Sequence, residues 1–417
     1  MNAAVLVKQV VAPSGELVMD ELSRVAVAQG VELCAAVGDG VCTALTVGDP
    51  AAEAVLREAV AWGGTCNVVT SGILLTDEVF ADLDTLGTAR TLAAAAQLRD
   101  PFDLVLLGAA SSDCDTGQLG PQLAELLDMA YADSARHLSM QGNVLHVRSA
   151  VDDGFTQATV SLPAVVSCTT GLIDPCDAPP ATHALVPDDR IRIVTDLELL
   201  EPPSSRTRMR MIAPDIEMRR APEHVPPTRG AVGRPVVVLA EPDQLATTRV
   251  LLGWAADLAA ATSGHVVVIT TSPDGLAHAG AWGADTVIAL AGALVAEDVA
   301  RAVTAWAGEN DPWAVLASST AWGRESAARA AAALDAGLAG KVHALSVEDD
   351  HLATQRQTAQ GIVEVTCSSP IGFATVTPDA TTAPTPRSGA DPLVEHVAAI
   401  SPRDRVRVVS RTRSSAT

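Results

Sequence analysis

The second half of the chain restates the first. Arg-Pro-Val-Val-Val-Leu-Ala at Arg234–Ala240 answers Ala-Ala-Val-Leu-Val-Lys at Ala3–Lys8. The apolar run from His265 answers the one from Thr43, each followed by a turn ending in Pro and Asp. Ala281-Trp282-Gly283-Ala284 answers Ala61-Trp62-Gly63-Gly64, and Asp311-Pro312-Trp313 answers Asp100-Pro101-Phe102. Leu345-Ser346-Val347 answers Leu138-Ser139-Met140. The halves also end alike, Asp-Asp-Arg-Ile-Arg-Ile-Val from Asp188 and Arg-Asp-Arg-Val-Arg-Val-Val from Arg403. Shared composition does not keep matches in one order over half a chain, so the sequence predicts two homologous domains.

Each repeat alternates strand and helix. Ala3–Val10 is apolar enough for a parallel strand buried on both faces. Glu21–Val37 reads as a helix and Cys42–Val47 as a strand closed by Gly48. Asp49 and Pro50 suit the cap and first residue of a helix over Ala51–Trp62. Asn67–Thr70 reads as a strand, Asp84 to about Leu98 as a helix, Phe102–Leu107 as a strand, and Thr116 to Leu127 as a helix. This alternation implies an open, doubly wound parallel sheet. From Asp133 to Thr169 short alternating strands follow, at Val144–Arg148, Thr156–Leu162 and Ala164–Ser167, read as antiparallel edge strands.

The expected organisation is a first domain over 1–180, a Pro- and Arg-rich linker over 181–230, a second domain over 231–400 and a tail over 401–417. Two such domains usually pack about a pseudo-twofold axis. The basic linker residues Arg206, Arg208, Arg210, Arg219 and Arg220 fit either a strap across an acidic surface or a loose tether.

Charge narrows the partners. Lys and Arg number 28 against 50 Asp and Glu, and aromatics are 3%, so a nucleic-acid surface is not expected. No apolar run approaches the ~18 residues of a membrane span. The N-terminus has no basic leader, and seven cysteines form no C-x-x-C pair, which fits buried thiols in a reducing cytoplasm. Histidines show no zinc spacing, and no phosphate loop, G-x-G-x-x-G or nucleophile elbow occurs. With no catalytic residue identified, a carrier or binding protein is favoured over a substrate-converting enzyme.

The stretch from Leu106, L-L-G-A-A-S-S-D-C-D-T-G-Q-L-G-P-Q, runs strand, small polar turn, helix. In a doubly wound sheet, ligands sit beyond the carboxyl ends of the strands. Thr116, Gly117 and Gln118 are suited to present backbone N–H groups to a phosphate, and the small residues Ala109, Ala110 and Ser111 leave room for a flat ring. The alternative is an ordinary helix start capped by Asp115 or Thr116, and Asp113 and Asp115 add charge that a phosphate would resist. At the equivalent place in the second half, Trp322 fills the turn. Arg324 there suits an anion, a pair with Glu325 or a domain interface.

With V-L-V-K-Q-V, T-V-G-D-P-A-A-E-A-V-L-R-E-A-V-A-W-G-G, Asp84-Thr85, L-P-A-V-V-S and above all D-C-D-T-G-Q, the first half resembles the beta subunit of electron-transfer flavoproteins. The second half, with A-S-S-T-A-W-G-R-E and F-A-T-V-T-P, resembles the first domain of the alpha subunit. The resemblance implies Rossmann-like domains of the adenine-nucleotide alpha-hydrolase kind. It implies an electron carrier between flavin-dependent dehydrogenases and a quinone reductase or other acceptor. It implies AMP, or a second FAD, at residues matching Lys8, Gln9, Gly48, Asp84, Thr85, Gly108, Ala109, Asp113, Thr116, Gly117, Gln118 and Leu119.

The departures are as informative. The family's main flavin domain would follow the point where this sequence ends, so FAD is expected to need a partner chain or domain, or a homodimer. Residues 11–40 hold no aromatic, Cys176 stands where the family has Arg, and Thr377 stands in the family's T-V-R-P. A non-redox AMP-binding or scaffold protein on the same fold is the alternative.

Overall fold

The computed structural model describes the chain except for residues 98–99, 153, 196–203, 213–217, 227–231, 277, 293–294, 359–360, 378–382, 388–391, 398–400 and 414–417. The chain divides into two compact units, Met1–Ser204 with Asp404–Thr417, and Ser205–Arg403.

The first unit carries strands β1 (Asn2–Leu6), β2 (Gln9–Val11), β3 (Leu17–Met19), β4 (Val41–Val47), β5 (Val69–Leu75), β6 (Leu104–Gly108), β7 (Ala130–Gln141), β8 (Val144–Val151), β9 (Gly154–Ser161), β10 (Ala164–Cys168) and β11 (Ile191–Val194). Helices α1 (Glu21–Val37), α2 (Glu53–Thr65), α3 (Thr85–Gln97), α4 (Leu119–Leu126) and α5 (Pro180–His183) intervene. In the second unit lie β12 (Thr207–Met211), β13 (Pro235–Ala240), β14 (His265–Thr270), β15 (Thr286–Leu290), β16 (Ala314–Ser318) and β17 (Gly337–Val342). They are followed by β18 (Ala344–Glu348), β19 (His351–Thr358), β20 (Gly361–Cys367), β21 (Gly372–Val376) and β22 (Leu393–Val397). Its helices are α6 (Leu245–Ala261), α7 (Ala296–Asn310) and α8 (Ala321–Ala333). A last strand, β23 (Val406–Arg413), belongs to the first unit.

Sheet order makes the duplication visible. Among the described residues the first unit's main sheet runs β11-β5-β4-β1-β6-β10-β7-β8-β9-β23. It is parallel from β11 to β7 and antiparallel beyond. The second unit's parallel sheet, read from the matching edge, runs β22-β15-β14-β13-β16-β21-β17. The seven positions correspond one to one, so two doubly wound α/β sheets are present as expected. In the second unit the antiparallel extension is a separate sheet, β18-β19-β20-β12. Both central strands are apolar runs, save Asn2 at the start of β1, packed on two faces, with Ala-rich helices over them.

The structure corrects several sequence readings. Ala3–Val10 is not one strand: β1 stops at Leu6 because the Lys8 N–H donates to Ser23 Oγ (3.1 Å) and the Lys8 carbonyl accepts from the Asp20 N–H (2.9 Å). β10, expected as an antiparallel edge strand, lies parallel between β6 and β7. β5 runs on to Leu75 because neighbours flank it on both sides, β11 so closely that a Cβ on Gly72 would lie 2.7 Å from Ile191. The matching ends of the two halves also part company. β11, from Ile191, pairs parallel to β5, whereas β23 pairs antiparallel to β9. By sheet position, β22 is the counterpart of β11 and β12 that of β23.

Residues of the Arg-rich stretch have defined partners in the second unit. Arg206 pairs with Asp335 (2.6 Å), Arg219 with Asp257 (3.1 Å), and Arg210 on β12 with Glu364.

Candidate functional site

A cavity of about 600 Å³ opens at the carboxyl ends of β1, β4 and β6 in the first unit. That is where a doubly wound sheet leaves a crevice, and the volume suits a small ligand. Its inner wall is apolar, including Leu6, Leu45, Phe80, Leu92 and Leu107. Its rim is the turn between β6 and α4.

Asp20 holds that turn. Its carboxylate is buried, with Oδ1 accepting from the Leu22 N–H to cap α1 (3.1 Å) and Oδ2 accepting from the N–H and hydroxyl of Ser112 (2.9 and 2.8 Å). Lys8, just past β1, reaches across to Asp113 (2.7 Å) and Ser111 Oγ (3.2 Å). Partial burial pulls the Asp113 carboxyl upward, but the hydrogen bonds from Lys8 and Ser111 and the Lys8 charge outweigh it and hold the group below its usual range. Gly108 permits a close turn, since a Cβ there would meet Leu22 at 2.8 Å.

The helix start differs from the expected cap. α4 begins at Leu119, and its cap position is Gln118 rather than Asp115 or Thr116, with no side-chain cap bond. Gly117 takes a left-handed φ of 64°. Among the described residues, no protein acceptor lies within reach of the backbone N–H groups of Gly117, Gln118, Leu119 and Gly120. The Gln118 side chain is buried at the cavity, and its Nε2 also lacks a protein partner there. A buried amide N–H₂ without an acceptor is costly unless a ligand supplies one. These donors suit an anionic, oxygen-rich group.

Of the residues singled out in the sequence, the cavity brings together Lys8, Gly48, Thr85, Gly108, Ala109, Asp113, Thr116, Gly117, Gln118 and Leu119. Two lie apart. Gln9 donates to the Ala51 carbonyl (2.9 Å), and Asp84 caps α3 by accepting from the Gly87 N–H (2.8 Å). Sequence reasoning missed Asp20 and the lone tyrosine. Asp20 carried a signal, an acidic residue directly before a helix. Tyr131 carried none. Its ring packs where a Gly120 Cβ would stand (2.8 Å), and its hydroxyl donates to Asp133 (2.9 Å) beside Ser167, which donates to the same carboxylate oxygen (2.8 Å).

The equivalent place in the second unit is built differently. Ala3 sits beside Leu104 and Val236 beside Ala314, so Lys8 and Glu241 occupy the same step past their strands. Glu241 accepts from Thr320 Oγ1 (2.7 Å) and Ser318 Oγ (3.2 Å), and Thr320 caps α8 through the Gly323 N–H (3.1 Å). α8 starts three residues after β16, where α4 follows β6 only after the long turn. Arg324 donates to the Ser319 carbonyl (2.7 Å), and Glu325 pairs with buried Arg329 (3.1 Å).

Two doubly wound units of one ancestry, one with a donor-lined crevice at its strand ends, define a duplicated Rossmann-like α/β protein. The chain belongs to the electron transfer flavoprotein family, whose domain model matches residues 8–188 and 236–401. The electron transfer flavoprotein subunit beta of Thermoanaerobacterium thermosaccharolyticum is 32% identical over 182 residues, 40% of this chain and 67% of that protein. The caffeyl-CoA reductase-Etf complex subunit CarD of Acetobacterium woodii is 34% identical over 131 residues, 31% of this chain and 48% of that one. Protein FixA of Azorhizobium caulinodans is 33% identical over 135 residues, 31% and 46% of the two chains. The chain thus spans two thirds of the first relative and about half of the other two. No helix among the described residues is long and apolar enough to cross a membrane.

Proposed function

We propose that this chain is a component of an electron-transfer flavoprotein that binds an adenine nucleotide, AMP or FAD, in the first-unit crevice. It works between a flavin-dependent dehydrogenase and an electron acceptor such as a quinone reductase, in the cytoplasm. The observation that carries the nucleotide reading is the uncapped start of α4 beside the buried, unpartnered Gln118 amide. A phosphate gives both what they lack, and the apolar wall with Phe80 accepts a flat base. Membership of the family and the naming of its relatives as parts of reductase complexes support the electron-transfer reading.

Gly117, Gln118 and Leu119 hold phosphate through backbone N–H groups, and Thr85, Gly108 and Ala109 shape the walls. A flavin supplies the ability to take and give electrons one or two at a time. FAD bound elsewhere than this crevice needs a partner chain or domain, or a second copy.

The test is an absorbance spectrum of the protein from its own host, followed by mass analysis of acid-released small molecules. Flavin bands with an FAD mass, or AMP from a colourless protein that regains electron flow with a flavoprotein partner, support the proposal. AMP with no electron flow in any reconstitution leaves a non-redox binding or scaffold role, and release of no adenine compound removes the nucleotide reading.

A further inference from the structure

Two of the seven cysteines meet in the first unit, at the end of its sheet away from the crevice. Cys34 lies in the last turn of α1, and Cys42 is the second residue of β4, paired with Ala3 near the amino end of β1. Three contacts bring them together. The chain doubles back so tightly that a Cβ on Gly40 would lie 2.5 Å from Cys34 Cα. Cys34 Sγ donates to the carbonyl of Val41, the residue before Cys42 (3.5 Å). Cys42 Sγ sits against Gly30, one turn before Cys34 on the same face of α1, where a Cβ would lie 3.7 Å from the sulfur. The two thiols also share a hydrogen bond. That bond is the main reason Cys34 ionises below the ordinary thiol range despite its burial, while Cys42, also buried, stays protonated well above it. Both residues are closed to solvent, Cys34 at 1% and Cys42 at 0% exposure. Their cover is thin, because Ala35–Asp39 are all exposed and α1 ends there at Gly38, with a φ of 88°. Fraying of this one turn uncovers Cys34 before Cys42.

We propose that Cys34 and Cys42 form a redox-sensitive dithiol, which a small hydroperoxide converts to a reversible disulfide with Cys34 as the attacking thiol. The Cys34 thiolate attacks one oxygen of hydrogen peroxide and the O–O bond breaks. The departing hydroxide takes up the proton that Cys34 released and becomes water, leaving a sulfenic acid on Cys34. The Cys42 sulfur then attacks the Cys34 sulfur. The S–S bond forms, the S–O bond breaks, and the hydroxyl leaves with the Cys42 proton as a second water. In sum the two thiols lose two electrons and two protons, and the peroxide is reduced to water. The oxidant has to be compact, because only one frayed turn separates it from Cys34. In a reducing compartment such a bond is transient, and small thiols restore the pair. The disulfide ties the last turn of α1 to the start of β4 and leaves the crevice open, since that lies at the other ends of β1 and β4.

The experiment treats the folded full chain with an excess of hydrogen peroxide, blocks the remaining thiols with N-ethylmaleimide in denaturant, and maps peptides by mass. Cleavage before Asp20, Asp39 and Asp49 puts Cys34 and Cys42 in separate peptides, 20–38 and 39–48. Most chains are expected to yield these two peptides joined, and dithiothreitol given before blocking is expected to part them. Peptides that stay separate after peroxide, that are joined to half-buried Cys66 or Cys114 instead, or that dithiothreitol does not release overturn the proposal. A reagent that traps sulfenic acids tests the order of attack. Cys34 in the Cys42→Ala chain is expected to take up at least about tenfold more label than Cys42 in the Cys34→Ala chain. Equal labelling overturns the assignment of Cys34 as the attacking thiol. The wild-type map needs no variant, so it decides the disulfide even if a substitution loosens α1.

Discussion

Gly117 turns the chain onto the start of α4 at a φ of 64°, a backbone state that costs a side-chain-bearing residue about 1–2 kcal/mol. Gly117→Val is expected to lower Tm by a few degrees and to reduce bound nucleotide per chain at least tenfold, measured by mass analysis. Gly142→Val is the control, since Gly142 has a φ of 57°, open surroundings and no place in the crevice. Equal nucleotide loss in both variants would assign the effect to strain alone. Two thiols give a second residue-scale expectation. Burial pushes Cys168 and Cys176 up to about 12 from 9.0, Cys176 also feeling the Glu58 charge. Their unfolded counterparts ionise near 9, so the stabilisation is complete below pH 9 and is lost as pH climbs to 12. The loss reaches about 4 kcal/mol per thiol at most. Tm measured from pH 8 to 11 is expected to fall, and less steeply in Cys168→Ala. An unchanged slope would contradict this account. Lys8 and Gly48, expected from the family resemblance, and the Gly117 turn, expected from residue types that suit a phosphate, all line the crevice. Gln9 and Asp84 were not separable from them, since what a side chain bonds depends on neighbours distant in sequence.

At the scale of elements, helix α1 was legible to the residue, because a polar cap, an apolar periodic run and a closing Gly38 are local signals. Strand partners were not. β10 reads in sequence as one more antiparallel edge strand, yet it is drawn between β6 and β7, and β7, Ala130–Gln141, was not among the expected strands. The edge strand β23 tests this level. It pairs with β9 from Val406–Val160 to Arg413–Gly154, and Arg405 before it pairs with Asp128 (3.2 Å). Removing residues 404–417 leaves the β9 edge unpaired. The truncated chain is expected to lose a few kcal/mol from the first unit, read as a lower urea midpoint, and to scatter more light on concentration. Full stability after truncation would mean that β23 contributes nothing to that sheet.

The whole molecule contains the same seven-position parallel sheet twice, with opposite charges at one step of it, Lys8 and Glu241. Saturating AMP is therefore expected to slow amide exchange about tenfold or more over residues 109–120 and at the ends of β1 and β4. Residues 318–323 should be unchanged, because Thr320 and Glu241 already satisfy that helix start. Equal slowing in both units would refute a single-crevice reading. The sequence by itself determined that there are two α/β repeats, which runs are buried, and which turn carries ligand-binding residue types. Those follow from composition and short-range periodicity, which act within a few residues. Only the tertiary structure decided that the similar ends at Asp188 and Arg403 enter different places in one sheet, and that Asp20 pins a turn ninety residues away. It also decided that the start of α4 lacks a side-chain cap where Thr320 caps the start of α8. Strand partners and crevice contents are chosen by hydrogen bonds and charges that meet only after distant segments have packed, and no local pattern encodes them.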